Sequence, residues 1–243
     1  MRNCLIFILM SGSVLTQRPA REQELSKDHR ALGRQLLQRA QQALGGAEKL
    51  AAVRDVTHKM EIALEPAAGG FKMKQVSLFV APNHIRHEQE TPFGNVTIYC
   101  DGKSGWLSTA QGVQELPAEV LRLAKGVLLR QPSTLLLSDR DAARTVKAVS
   151  ENGVEIATAE GLSVCLEFDV ITGLPARQRY TEPGPSGSPR ERVETFSDWR
   201  DMGGIKMPFK AVQQENGVKL LEVTVSEYRI NSGNTAEQLS RKP

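Results

Sequence analysis

F-S-D-W-R-D-M-G-G-I-K-M-P-F-K-A-V-Q-Q-E-N-G-V-K-L-L-E-V-T-V-S-E-Y-R-I, residues Phe196–Ile230, is the stretch that decides the fold. A first strand runs into the glycine turn Gly203-Gly204, and a second strand covers Lys206–Gln214. Asn216-Gly217 then turns the chain into a third strand, Lys219–Ile230. Asn-Gly between alternating runs indicates a hairpin, because both residues tolerate the positive φ of a type I′ turn. The stretch therefore predicts consecutive antiparallel strands, each with one apolar face.

The same alternation recurs along the chain from Val56 onward and predicts about ten strands in one domain, residues 20–243. One face of the first predicted strand carries Val56, His58, Met60, Ile62 and Leu64. There is no glycine-rich phosphate loop that opens a helix, and strands do not alternate with helices. The pattern indicates a curved antiparallel sheet that encloses apolar material.

Two helices are predicted before the strands, at Pro19–Gly46 and Ala47–Val53. In the first helix a mostly apolar stripe recurs at spacings of three and four residues: Leu25, His29, Leu32, Leu36, Ala40 and Ala43. Gly45-Gly46 ends this helix, because glycine adopts the left-handed cap without steric cost.

A third helix is predicted in the middle of the chain, between two groups of strands. Its apolar positions after Pro117 are Val120, Leu123, Ala124, Val127 and Leu128. One interpretation is a helix that covers one face of the sheet and closes the core. The other interpretation is a mobile lid over a pocket.

Composition excludes several classes of function. The 243 residues include 31 Lys and Arg and 28 Asp and Glu, which gives a net charge of +3 without blocks of like sign. Nucleic-acid binding proteins need a basic stripe with interleaved aromatics, and aromatic residues are only 5% here. Hydrophobic residues make up 40%, too scattered for a membrane-spanning helix. We therefore expect no nucleic-acid partner.

The first residues, M-R-N-C-L-I-F-I-L-M-S-G-S, resemble a short secretory signal. Arg2 is a positive start, Cys4–Met10 is an apolar run, and Ser11-Gly12-Ser13 supplies small residues for cleavage. This order predicts a signal peptide at residues 1–13 and a location in the periplasm or cell envelope. The alternatives are an apolar tail of a cytosolic protein and an incorrectly chosen start.

Two cysteines remain after the predicted signal peptide, Cys100 and Cys165, each on a predicted strand. In an exported protein the two thiols could pair, although sequence does not give their separation. The other interpretation is two buried free thiols that behave as small apolar side chains.

Motifs of catalysis and metal binding are missing. The sequence has no H-E-x-x-H, H-x-x-E-H, C-x-x-C or G-x-S-x-G pattern. Glu194, Asp198 and Asp201 come close together in sequence, but turn chemistry and solvated ion pairs explain acidic residues at a strand end. We predict that the protein is not an enzyme and has no catalytic residues, no cofactor and no metal site.

Three segments resemble the bacterial lipoprotein-carrier family, the LolA/LolB-like proteins. They are A-L-G-G-A-E-K-L-A-A-V-R-D-V from Ala43, Y-C-D-G-K-S-G-W-L from Tyr99, and F-S-D-W-R-D-M-G-G-I-K-M-P-F-K from Phe196. The resemblance implies a mainly β fold: an unclosed antiparallel half-barrel whose concave face is covered or plugged by helices. It also implies an apolar cavity for a lipid or for the acyl chain of a lipoprotein, with a membrane surface or an envelope protein as further partner.

Apolar residues of the predicted strands and of the central helix are the candidates for the cavity lining. They are Met60, Ile62, Leu78, Val80, Ile98, Trp106, Leu128, Leu166, Phe168, Val223 and Val225. The alternative for each is an ordinary core position beneath the helices. Two functions follow: a non-enzymatic carrier or binder of lipids or lipid-modified proteins in the envelope, or a structural module that docks a protein partner with the same scaffold.

Overall fold

The computed structural model of the protein describes residues 20–184 and 187–243, so the predicted signal peptide lies outside the described residues. Its helices are α1 (Ala20–Leu44), α2 (Ala47–Ala51), α3 (Ala118–Leu129), α4 (Pro132–Leu135) and α5 (Ala236–Ser240). Its strands are β1 (Asp55–Leu64), β2 (Lys72–Val80), β3 (His84–Thr91), β4 (Gly94–Cys100), β5 (Gly105–Thr109), β6 (Gly112–Glu115), β7 (Arg144–Ser150), β8 (Gly153–Thr158), β9 (Ser163–Phe168), β10 (Pro175–Pro183), β11 (Pro189–Asp201), β12 (Lys206–Glu215) and β13 (Val218–Ile230).

One antiparallel sheet contains all 13 strands, in the order β6-β5-β4-β3-β2-β1-β13-β12-β11-β10-β9-β8-β7. From the central pair β1 and β13, the strands run in sequence order from β1 to β6 at one edge, and in reverse order from β13 to β7 at the other edge. The edges β6 and β7 do not pair, so the barrel is not closed. The predicted fold class is confirmed. Strand β6 was not predicted, because its four exposed residues carry no apolar alternation.

The face of the sheet that α1–α4 cover, which we call the inner face, carries the main core. Cys100 of β4 and Val146 of β7 belong to the same buried cluster as Leu37 of α1 and Leu128 of α3. These two strands lie near opposite edges of the sheet. The sheet therefore curves around the helices, as a half-barrel does.

The connection between the two edges of the sheet contains α3 and α4. It leaves β6 at one edge and enters β7 at the other. Leu128, Leu129 and Leu135 are buried in this connection and join the main core. The segment therefore covers the inner face, in agreement with the first of the two interpretations, and its mobility stays a prediction.

Helix α1 packs with a different stripe from the predicted one. Among residues 27–44, whose burial the structure describes, the buried ones are Gly33, Leu37, Ala40, Gln41 and Leu44, whereas Leu32 is 39% exposed; Leu25 of the predicted stripe lies outside this range. A Cβ atom on Gly33 would lie 2.7 Å from backbone atoms of Lys147 and Ala148 in β7. The predicted stripe is wrong by about one residue, because the helix approaches this strand most closely through a glycine, which hydrophobic periodicity does not register.

The opposite face of the sheet, which we call the outer face, carries a smaller cluster beneath the C-terminal helix. Leu239 of α5 packs against Tyr99 and Trp106, with Leu78 and Val80 partly buried beside them. The indole Nε1 of Trp106 donates a hydrogen bond to the carbonyl oxygen of Ser240 at 3.0 Å. The C-terminal segment is thus fixed to the outside of β2–β5.

Both cysteines of the described segments are free thiols. Cys100 is buried in the main core and Cys165 is half-buried on β9. Burial raises the pKa of each thiol above its ordinary value. The structure supports the interpretation of free thiols rather than a disulfide.

Candidate functional site

A cavity of 360 Å³ lies between the inner face and the helices α2–α4. Its apolar wall is formed by Leu50, Val53, Val56, Met60, Ile62, Val127, Phe196, Ile205, Met207, Ala211, Leu221, Val223, Val225 and Ile230. Most of these residues alternate along β1, β12 and β13, whose antiparallel pairing places the inward positions side by side. The volume lies within the range of small-molecule pockets.

A first group of polar side chains interrupts this wall on β1, β2 and β3. His58 pairs in register with Ser77, and Ser77 pairs with His87, so the two imidazoles lie in one row across the three strands. The amide Nε2 of Gln75 lies 3.4 Å from His87 Nδ1, and Gln75 Oε1 accepts a hydrogen bond from Gln89 at 2.8 Å. His58, Gln75 and His87 border the cavity beside Met60 and Ile62.

Both histidines of this row are uncharged at neutral pH. Desolvation lowers the pKa of His58 from 6.5 to about 3, and the neighbouring His87 lowers it further. Desolvation alone lowers the pKa of His87 to about 4. Each histidine borders the cavity. Positive charge is therefore unfavourable in this part of the cavity.

The Nδ1 atom of His58 has no hydrogen-bond partner among the described residues, although it is buried. The rings of His58 and Tyr228 form a T-shaped pair, with 5.2 Å between the ring centroids and 72° between the planes. The Tyr228 hydroxyl does not serve as the partner, because it donates to the carbonyl oxygen of Pro208 at 2.9 Å. A buried polar atom of this kind is uncommon, since it loses its hydration without compensation.

A second polar group lies on β10–β12, across the inner face from the first. Gln178 Nε2 donates to Glu194 Oε2 at 2.6 Å, and Gln213 Nε2 donates to the hydroxyl of Tyr180 at 3.1 Å. Burial raises the pKa of the Glu194 carboxyl above its ordinary value, against the opposing effect of the Gln178 hydrogen bond. Burial likewise raises the pKa of Tyr180.

Arg130, just after α3, connects the covering helix to the sheet. Its guanidinium carbon lies 3.6 Å from the ring centroid of Tyr180, and its Nη2 lies 3.0 Å from Glu182 Oε1. The arginine side chain is only 11% exposed. A cation over an aromatic face and a largely desolvated ion pair both favour this position of the helix end.

Four of the eleven predicted lining residues border the cavity: Met60, Ile62, Val223 and Val225. Leu128, Leu166 and Phe168 are buried in the main core, and Leu166 also borders a second cavity of 50 Å³. Ile98 pairs with His87 and so shares the inner face, but it does not border the cavity. That the four cavity residues contact a ligand stays a prediction.

Leu78, Val80 and Trp106 do not share the face of Met60, and their predicted place in the lining is wrong. Met60 pairs with Gln75, whereas Leu78 pairs with Thr57, so the two lie on opposite faces. The inward set of β2 contains Phe79 of the main core but also the polar Ser77 and Gln75, whereas Leu78 and Val80 of the outward set lie under α5. Alternation therefore did not reveal which set faces inward.

The polar residues of the cavity were not predicted as a site. His58 was correctly placed on the face of Met60 and Ile62, and a histidine among apolar inward positions was the available signal. Glu194 was considered only together with Asp198 and Asp201, which the structure places at the far end of β11. There Asp198 pairs with Arg200 and Asp201 accepts a hydrogen bond from the backbone of the following turn.

Within residues 20–184 and 187–243, no group of three or more His, Cys, Asp or Glu side chains could hold a metal ion. In the same described part of the chain, no helix is both long and apolar enough to cross a membrane.

No family model and no curated protein matches the chain. Solved structures do match. A LolA superfamily protein from Nitrosomonas europaea superimposes with a TM-score of 0.55 at 13% identity, over 84% of this chain and 97% of the other. A domain from Vibrio parahaemolyticus, described as a putative outer membrane lipoprotein-sorting protein domain, gives a TM-score of 0.52 at 12% identity, over 84% and 95%. A DUF1329 family protein from Desulfovibrio piger gives 0.53 at 10% identity, over 85% and 95%.

These likenesses extend over most of each chain and show a shared fold. The resemblance of the three sequence segments to the lipoprotein-carrier family is thereby confirmed at the level of the fold, which is LolA-like.

Proposed function

We propose that the protein binds lipids, or the acyl chains of lipid-modified proteins, in the bacterial cell envelope and catalyses no reaction. The observation that carries the proposal is the 360 Å³ cavity between the inner face of an unclosed sheet and the helices that cover it. Its wall is mostly apolar, and each methylene group transferred into it gains about 0.8 kcal/mol. The name of the similar Vibrio domain, lipoprotein sorting, supports this class of ligand.

Fluorescent probe binding tests the proposal. N-phenyl-1-naphthylamine emits strongly in apolar surroundings, so it should bind the wild-type protein and be displaced by long-chain amphiphiles. Val223→Phe should fill part of the cavity and weaken probe binding, because Val223 borders the cavity. Thr224→Phe is the matched control, since the neighbouring residue is exposed on the outer face.

Equal probe binding by both variants and the wild type would place the probe outside the cavity and contradict the proposal. A wild-type protein that binds no probe, and that carries no lipid in native mass spectrometry, would instead favour the alternative function of docking a protein partner. Melting temperatures of the two variants show whether each is folded.

A further inference from the structure

The size of the cavity limits how many hydrocarbon chains the protein binds. We propose that the cavity holds one saturated chain, so that the ligand is a single-chain lipid, such as a fatty acid or a lysophospholipid, rather than a lipid with two or three chains. This inference rests on the proposed function and names the chemical class of its ligand.

The volume of the cavity matches one chain. A methylene group occupies about as much space as a water molecule in the liquid, about 30 Å³. The cavity of 360 Å³ therefore has room for about twelve methylene groups. A second chain of this length would need as much space again, whereas the adjoining cavity, which shares Leu50 and Phe196 with the first, has only 50 Å³.

The length of the cavity wall also matches one chain. The lining positions of β1 run from Val56 to Ile62, and those of β13 run from Leu221 to Ile230. Six residues of a strand, as from Val56 to Ile62, advance about 20 Å. Carbon–carbon bonds of about 1.5 Å in a zigzag advance about 1.3 Å each, so a chain of about twelve carbon atoms spans about 15 Å. The extended chain fits beside the β1–β13 ladder once, and 360 Å³ spread over this length leaves the width of a single chain.

The covering helices hold the cavity at this width. Leu128, Leu129 and Leu135 are between 3% and 7% exposed and belong to the main core. Arg130 lies over the ring of Tyr180 and pairs with Glu182. Space for a second chain would require these leucines to leave the core and Arg130 to leave its partners. The packing of the helices therefore opposes a wider ligand.

A larger hollow of 700 Å³ lies beside β1–β4, but its wall is not apolar. The charged residues that border it are Lys59, Glu61, Lys74, Glu88 and Glu90. A hydrocarbon chain in this hollow would remove water from charged groups without replacing their hydration. The second chain of a two-chain lipid therefore finds no favourable wall there.

Two lipids with the same head group and the same number of chain carbons test the inference. Dodecanoyl-lysophosphatidylcholine carries one chain of twelve carbon atoms, and dihexanoylphosphatidylcholine carries two chains of six. Displacement of N-phenyl-1-naphthylamine, below the concentrations at which either lipid forms micelles, measures both affinities. The single-chain lipid should bind about tenfold more tightly or better, because only one short chain of the other lipid enters the cavity. Equal or tighter binding of dihexanoylphosphatidylcholine would overturn the inference.

A series of lysophosphatidylcholines, from octanoyl to hexadecanoyl, measures the capacity of the cavity. Affinity should rise about fourfold for each methylene group up to about twelve carbon atoms and then level off, because further groups stay in water. An undiminished rise up to the hexadecanoyl chain would contradict the limit set by the volume. Val223→Phe adds the bulk of a ring to the wall and should move the plateau to shorter chains, whereas Thr224→Phe on the outer face should not move it.

Native mass spectrometry of the wild-type protein covers the case in which Val223→Phe does not fold. With dodecanoyl-lysophosphatidylcholine the protein should retain one lipid molecule. Retention of two molecules would overturn the inference while leaving the proposed function intact. Failure of every lipid and of the probe to bind would overturn both proposals.

Discussion

Replacing the two cavity histidines should make the protein more resistant to acid. In the unfolded chain each imidazole has a pKa near 6.5, whereas in the folded protein the pKa of His58 is about 3 and that of His87 about 4. As pH falls below the unfolded value, the unfolded chain binds protons that the folded protein does not bind. Stability is therefore lost from about pH 6.5 downward, until the folded pKa is reached.

The size of this effect follows from the unfolded pKa. At about pH 5, protonated imidazole outnumbers neutral imidazole roughly thirtyfold in the unfolded chain, whereas both rings of the folded protein remain mostly neutral. Each histidine then lowers the free energy of unfolding by about 2 kcal/mol relative to about pH 8. This free-energy difference depends little on the folded-state pKa values of His58 and His87, because both lie below this pH.

Urea unfolding of the wild type, His58→Phe, His87→Phe and the double variant, at about pH 8 and about pH 5, measures the effect. The loss of stability between the two pH values should shrink by about 2 kcal/mol in each single variant and by about 4 in the double variant. Met60→Leu is the control, because it changes the same wall without removing a titratable group. An identical pH dependence in all five proteins would refute the burial of the two rings.

Three further substitutions test the packing. Leu128→Glu should lower the free energy of unfolding by about 3 kcal/mol or more, because it places an unpaired charge in the core. The control Lys125→Glu lies on the exposed side of α3 and should leave the stability unchanged. Thermal melting measures both variants. Gly217→Val should lower the free energy of unfolding by about 1–2 kcal/mol, because valine is strained at the φ of 82° found there. An unchanged midpoint of urea unfolding would contradict the positive φ at this turn. Gly33→Ala should lower the free energy of unfolding by about 1–3 kcal/mol, because the new Cβ would lie 2.7 Å from the β7 backbone. If calorimetry shows no loss of stability, α1 can shift away from β7 without cost.

Local chemistry made most of the fold predictable from sequence. Asn216-Gly217 has positive φ at both residues, 49° and 82°, and joins β12 to β13 as expected. The helices α1, α2 and α3 begin and end within a few residues of the predicted bounds. These features depend on neighbours along the chain, and a sequence displays its neighbours directly.

Packing between distant elements was less accessible. The choice of inner face on β2 depends on whether α5 or the main core covers each set of side chains, and alternation is the same in both cases. The rotation of α1 depends on one glycine that meets β7. Both errors come from tertiary contacts that leave no periodic signal.

The candidate site contains residues that the pattern of a single strand predicts and residues that only pairing between strands brings together. Met60, Ile62, Val223 and Val225 were predicted because inward apolar positions follow the strand period. The polar groups were missed because strand register brings them together: His58 and His87 meet through β2, and Glu194 lies between Gln178 and Gln213 across β10–β12. Register between strands cannot be read from the composition of any one strand.

The order of the strands also has a consequence for how quickly the chain reaches its native state. Strands β1–β6 and β7–β13 are two meanders in which each new strand pairs with its predecessor, so each meander assembles from contacts close in sequence. The ladder between β1 and β13, from Val56 with Ile230 to Leu64 with Leu221, joins the ends of the chain and carries the largest loop-closure entropy. We expect this ladder to form last, so its amides should become protected later than those of the hairpins when refolding is followed by pulsed hydrogen exchange. Simultaneous protection of all these amides would exclude this order of events.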